Sequence, residues 1–162
     1  MPMPLEDEDQ RHLTAAYGYM ELGMPLEANA ELEQIDAYVR HVPEVLAVRV
    51  KIYRTLGRWE LMQTVARKLA ECDPSSSKWV LALTFALRRS DSIAAARDVL
   101  MQALERFPRV AAIHYNLACL DCVLRNVVAA KERLQRAFEL DATLRLQALE
   151  DSDLESLWSG LK

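Results

Sequence analysis

The chain predicts an all-α fold: a right-handed helical-repeat solenoid of about four helix pairs, closed by a C-terminal capping helix. Three observations carry that expectation. A step of thirty-four residues leads from Gly23 to Gly57, Asp91 and Arg125 without an insertion. Small and apolar positions keep the same step, as Ala28, Met62, Ala96 and Ala130, as Leu32, Ala66, Leu100 and Leu134, and as Ile35, Leu69, Ala103 and Ala137. Finally, four glycines in 162 residues are too few for an all-β fold, and no stretch alternates with period two.

Each element follows from its punctuation. The first helices of the pairs are expected near 8–22, 44–56, 76–89 and 111–125, and the second helices near 25–41, 58–72, 92–107 and 127–141. Gly23 and Gly57 suit the turn inside a pair because they lack a Cβ, whereas Asp91 and Arg125 must take that turn at a steric cost. Pro25 sits one residue inside its helix, where its missing N–H costs nothing. Pro43, Pro74 and Pro108 fall at the joints between pairs, and Ser75, Ser76 and Ser77 offer N-caps for the third first helix. Ala28, Ala96 and Ala130 let paired helices approach closely, while Tyr19, Tyr53, Leu100 and Leu134 fill the space between neighbouring pairs. A single pair cannot bury its apolar face alone, so the pairs must stack. The expected organisation is one domain over 1–162, with repeats near 9–42, 43–76, 77–110 and 111–144 and a cap over 145–162. In the cap, Leu144, Leu146, Leu149, Leu154 and Trp158 form a broken apolar stripe.

Residues 111–141, with Tyr115-Asn116-Leu117-Ala118-Cys119 and Arg136-Ala137-Phe138-Glu139-Leu140-Asp141, resemble a bacterial tetratricopeptide repeat, and the period is that of the same family. The tail from Leu144 to Trp158 is similar to the short helical ending found after the last such repeat. The resemblance implies a protein that binds other proteins rather than an enzyme. It also implies a concave groove lined by repeat positions five, nine and twelve. Here these are Leu13, Tyr17 and Met20, then Ala47, Lys51 and Arg54, then Leu81, Phe85 and Arg88, then Tyr115, Cys119 and Cys122, with Lys78 and Arg89 beside them. Three of these twelve are basic and none is acidic, which suits an apolar segment with acidic neighbours. The family's clamp for acidic chaperone tails is not matched, because Leu13, Tyr17, Val48, Lys78 and Ala82, or Ala47, Lys51, Ala82, Ala112 and Asn116, stand at its positions.

Two positions break the pattern. Arg49 replaces the usual apolar residue at position seven and is expected to carry its head to solvent; Asp121 ends the column that runs Tyr19, Tyr53, Leu87 at the same thirty-four-residue step. Asp121 either faces the cap and is hydrated or pairs with Arg145 across the last joint.

Charge points to the same face. A net charge of −4 divides into −7 over residues 1–43, +5 over 44–109 and −2 over 110–162, giving an acidic protein with a basic centre around Lys51, Arg54, Lys78, Arg88 and Arg89. Such a centre speeds encounter with anionic partners. Nucleic acid is disfavoured by the acidic total and the lack of a base-reading motif. No run of eighteen apolar residues suggests a membrane span. Residues Met1 to Gln10 are acidic rather than leader-like, and three cysteines fit a reducing compartment, so a cytoplasmic protein is expected.

Chemistry is sparse. Cys119 and Cys122 form a C-x-x-C in mid-helix, away from the helix N-terminus that activates thiols, and His12, His41 and His114 lie in separate repeats, where His12 and His114 take packing positions. No phosphate-binding, zinc-protease or nucleophile-elbow motif is present, and no cofactor or metal is implied. The expected function is an adaptor that captures a peptide in its groove, through Tyr17, Phe85 and Tyr115 for apolar contact and Lys51, Arg54 and Arg88 for acidic neighbours. A small acidic secretion chaperone and a self-assembling scaffold using the same face are the alternatives.

Overall fold

The computed structural model describes residues 4–161; residues 1–3 and 162, at the outer ends of the expected domain and cap, lie outside the described residues. The helices are α1 (Asp7–Glu21), α2 (Pro25–Leu32), α3 (Pro43–Leu56), α4 (Trp59–Cys72), α5 (Ser77–Arg89), α6 (Ile93–Arg106), α7 (Ala111–Val123) and α8 (Val127–Leu140). A tail comes after them, with α9 (Leu144–Ala148), a 3-10 segment (Ser152–Leu157) and α10 (Trp158–Leu161). No strand occurs among the described residues.

The thirty-four-residue step is a step between left-handed residues. Gly23, Gly57, Asp91 and Arg125 have φ of 70, 67, 65 and 64°. In three of these turns the helix ends in the same pair of hydrogen bonds. Met24 N–H donates to Tyr19 C=O and Gly23 N–H to Met20 C=O; Arg58 and Gly57 do the same to Tyr53 and Arg54, and Asn126 and Arg125 to Asp121 and Cys122. This is the Schellman arrangement, which satisfies carbonyls left over at a helix end. Arg125 adopts it with a Cβ, at a cost of roughly 1 kcal/mol relative to glycine.

The chain divides into two compact units, one ending at Ser90 and one beginning at Asp91. In the N-terminal unit, α1 packs on α2, α3 on α4 and α4 on α5. Its core joins Leu13, Ala16, Ala28, Leu32, Ile35, Val45, Val48 and Ile52. In the C-terminal unit α7 packs on α8, α6 on α7, and the 3-10 segment on α7. Its core joins Ala118, Ala130, Leu134, Ala137 and Phe138 to Ala148, Leu154 and Leu157 of the tail. The small-residue column Ala28, Met62, Ala96 and Ala130 is wholly buried, as close helix approach requires.

Several local expectations are corrected. The helix begun at Pro25 stops at Leu32 rather than near residue 41, because side chains take over its backbone partners. The Arg40 guanidinium donates to the Glu33 and Ile35 carbonyls, and Asp9 accepts from the Asp36 N–H. Val39 and Val42 then return the chain to the core without a helix. Ser76 holds the N-cap position of α5 without a side-chain capping bond, while Ser75 Oγ donates to Asp73. Arg49 does not reach for solvent: it pairs with Glu33 at 2.7 Å and donates to Asn29. Asp121 is neither hydrated nor paired with Arg145. Fully buried, it takes Arg97 Nε at 2.6 Å and Arg133 Nε at 3.0 Å, which ties α6, α7 and α8 together. A column of otherwise apolar and tyrosine residues can end in an aspartate because two flanking helices each supply a guanidinium.

Candidate functional site

The residues expected to line one groove divide between two first-helix faces, one in each unit, and those faces differ. In the N-terminal unit, exposed cations from α3 and α5 lie against aromatic rings. Arg54 sits 4.2 Å and Arg89 5.3 Å from the Phe85 ring centroid, and Arg89 is also 5.7 Å from Trp59. Trp59 meets Phe85 edge-on at 5.8 Å, with 69° between the rings. Lys51 stands 5.4 Å from Tyr17 of α1, and Lys78 stands 4.7 Å from its neighbour Trp79.

Local sequence explains the cluster. Arg54 and Arg89 occupy the last turns of α3 and α5, where a cation complements the carbonyl end of a helix. Trp59 opens α4 two residues after the left-handed Gly57, and its ring lies over that glycine, so that a Cβ there would come within 3.7 Å of it. The turn thereby brings an aromatic from the second helix to the edge of the Phe85 ring. Among the described residues no carboxylate pairs with Lys51, Arg54, Lys78 or Arg89, although Arg40 and Arg49 in the same unit both pair with Glu33. Each guanidinium or ammonium therefore keeps its polar donors while its position is fixed by a ring.

Not every expected residue joins this face. Leu13 is buried in the core of the N-terminal unit and Met20 packs against that core. Ala47, Leu81 and Arg88 are half-buried. Trp59 is a member that sequence periodicity missed, because it belongs to a second helix and the groove positions were taken from first helices alone.

The C-terminal unit presents the opposite arrangement. Tyr115 is 3% exposed and Cys119 is buried, so neither lines an open groove, and Cys122 is half-buried. The cover is the chain's own tail. Tyr115 OH donates to Asp151 at 2.9 Å, the Cys119 thiol to the same carboxylate at 3.6 Å, and Cys122 Sγ lies 4.0 Å from Ser156 Oγ. Leu154 and Leu157 are buried beside them, and Trp158 Nε1 donates to the Ala148 carbonyl. The stripe expected for the cap is thus partly right: Leu154 packs inward, whereas Leu146 is 74% exposed.

Burial and the Asp151 hydrogen bond push the Tyr115 phenol well above its ordinary range. Burial also raises the Cys122 thiol, an effect that Ser156 opposes and the charges of Asp121, Asp153 and Asp151 reinforce. A thiol raised in this way is protonated and unreactive at neutral pH, the reverse of an activated C-x-x-C. Cys119, Asp151 and Asp153 bring a thiol and two carboxylates within 4.8 Å of one another, but Asp151 already accepts from Tyr115, Cys119 and the Asp153 N–H. His12 is engaged by Glu31 and His114 by the Pro108 carbonyl.

Neither a protein-family model nor a curated protein matches this sequence. Solved structures match its fold. MamA from Desulfovibrio magneticus superposes with a TM-score of 0.74 at 19% identity, over 94% of this chain and 90% of that one. A thermophilic TPR protein from Thermus thermophilus gives 0.63 at 18% identity, over 94% and 98%. The APC/C hetero-tetramer Cut9-Hcn1 gives 0.67 at 16% identity, over 94% of this chain and 30% of that one. The fold is therefore of the tetratricopeptide-repeat, all-α type.

Proposed function

We propose that the protein is a non-enzymatic interaction module that captures a peptide segment of a partner on the first-helix face of its N-terminal unit. The observation that carries this reading is the set of exposed cations, Lys51, Arg54 and Arg89, held on Tyr17, Phe85 and Trp59 without an acidic partner among the described residues. Rings supply contact area at low entropic cost, and the unspent cations select carboxylates close to the apolar residues of the ligand. Repeat proteins of this fold place their binding surfaces on such stacked helices. Tyr115, Cys119 and Cys122 belong to the face that the tail covers and take no direct part. The site needs no cofactor or metal, and no described helix is long and apolar enough to cross a membrane.

A peptide array tests the reading. It presents apolar segments flanked by Asp and Glu, by Lys and Arg, or by neutral residues. The acidic class alone should be retained, with signal falling as added salt shortens the Debye length below its physiological value of about 8 Å. Equal retention of the basic class would contradict it.

A further inference from the structure

The turn between α1 and α2 leaves two leucines in water. Leu22, which ends α1, is 73% exposed, and Leu26, in the first turn of α2, is 68% exposed. Burial would stabilise both side chains, and this unit buries neither. Glu21 and Glu27 flank them and are exposed as well. Other acids of the first repeat are engaged: Glu31 with His12, Glu33 with Arg40 and Arg49, and Asp9 with the Asp36 N–H. Glu21 and Glu27 have no ion pair or side-chain hydrogen bond among the described residues. The turn is thus an apolar segment with acidic neighbours. The last repeat supplies a comparison, because Leu124 and Val128 stand at the same repeat positions and are exposed too. Their turn, from residue 123 to 129, carries Arg125 and no acid.

We infer that the segment taken by the first-helix face of the N-terminal unit is the α1–α2 turn of a second copy of this chain. The inference rests on the reading that this face binds an acidic–apolar segment, and it names that segment. Charge complementarity chooses the occupant. Residues 1–43 carry −7 and residues 44–109 carry +5, with Glu21 and Glu27 on one side of that divide and Lys51, Arg54 and Arg89 on the other. Leu22 and Leu26 supply the apolar contact for the rings of Tyr17, Phe85 and Trp59, and the two carboxylates serve the cations held on those rings. Within one chain Glu21 and Glu27 pair with none of the three cations, so each copy offers both halves of the contact. Turn and face are different surfaces, and a copy bound through its face still presents its turn. Association of this heterologous kind grows head to tail unless it closes into a ring.

Sedimentation of the full chain tests this. The weight-average mass of the wild type should rise between about 10 µM and about 1 mM and fall again as salt is added. Leu22→Ser with Leu26→Ser removes the apolar part of the turn, and Arg54→Glu with Arg89→Glu reverses the face. Each pair should weaken association at least about tenfold, with melting curves that show a folded chain. Mixed in equal amounts, the two variants should form a dimer and nothing larger, because one keeps the face and the other keeps the turn. Leu124→Ser with Val128→Ser, which alters the turn without acids, should assemble as the wild type does. A wild type that stays monomeric while the array retains acidic–apolar peptides would overturn the second copy as occupant and leave the peptide reading standing. A monomeric wild type with no such retention would overturn both. Assembly that survives in either of the first two variants, that is lost in Leu124→Ser with Val128→Ser, or that fails to reappear in the mixture would overturn the pairing of turn and face.

Discussion

The first-helix faces of the two units start from equivalent repeat positions and reach opposite ends. In the N-terminal unit, Lys51, Arg54 and Arg89 rest on aromatic rings with their donors unspent. In the C-terminal unit, Tyr115, Cys119 and Cys122 lie beneath a tail that brings Asp151 to the Tyr115 hydroxyl and buries Leu154 and Leu157. The same unit holds the buried Asp121 between two arginines. The difference teaches that a repeat position does not by itself make a binding residue. The segment downstream of a repeat decides whether its face stays open.

If that contrast is right, charge removal should be costly in one unit and harmless in the other. Asp121→Ala should destabilise the protein by about 3 kcal/mol, because two partly buried guanidiniums lose their shared acceptor. Arg54→Gln with Arg89→Gln should change stability by about 1 kcal/mol or less, since both residues are exposed, have no carboxylate partner among the described residues and lose only surface contacts with rings. Urea denaturation of the two variants side by side measures this, and similar losses in both would break the comparison.

The tail gives the next largest effect. Leu154 is fully buried in the C-terminal core, so Leu154→Ala should cost about 2–3 kcal/mol and speed hydrogen exchange in α7. A neutral result would mean that the tail lies on the unit without stabilising it.

Alkaline pH sharpens the contrast further. The Tyr115 phenol is raised above its ordinary value of 10.0, so the folded C-terminal unit keeps a proton that the unfolded chain loses. Its contribution is therefore fully present below pH 10.0 and is lost as pH rises from there towards the folded value. Tyr115→Phe should flatten that alkaline decline, as read from melting temperatures across the range. A decline of the same slope in the variant would assign it to other groups.

The smallest effect concerns the turns. Arg125 holds a left-handed φ of 64° that glycine takes freely, so Arg125→Gly should stabilise by up to about 1 kcal/mol. The same change cannot be made at Gly57, whose turn already has it.

Much of this architecture was legible in the sequence. The thirty-four-residue step located all four left-handed turns, including those at Asp91 and Arg125, because helix reversal demands that backbone whatever the side chain. The buried columns were legible too, because close packing demands small residues at crossings. The early end of α2 was not: it depends on Arg40 and Asp9 meeting backbone groups that only tertiary structure brings near. The partners of Asp121 were hidden for the same reason, as they come from α6 and α8 rather than from the tail. For the candidate site, Arg54, Phe85 and Arg89 were named from position, and they lie against one another. The covering of Tyr115 and the arrival of Trp59 were not, because both depend on segments outside the first helices.

Which first-helix face meets the partner is the central claim, and one titration tests it most directly. An acidic–apolar peptide retained by the array is titrated against the wild type, against Arg54→Glu with Arg89→Glu, and against Tyr115→Phe, with melting curves to verify that each is folded. Reversing two exposed charges should raise the dissociation constant by about a hundredfold, a change of about 2.7 kcal/mol. Tyr115→Phe should leave the constant unchanged. Unaltered binding by the charge-reversed variant, with loss in Tyr115→Phe, would contradict the claim and make the tail-covered face the working one.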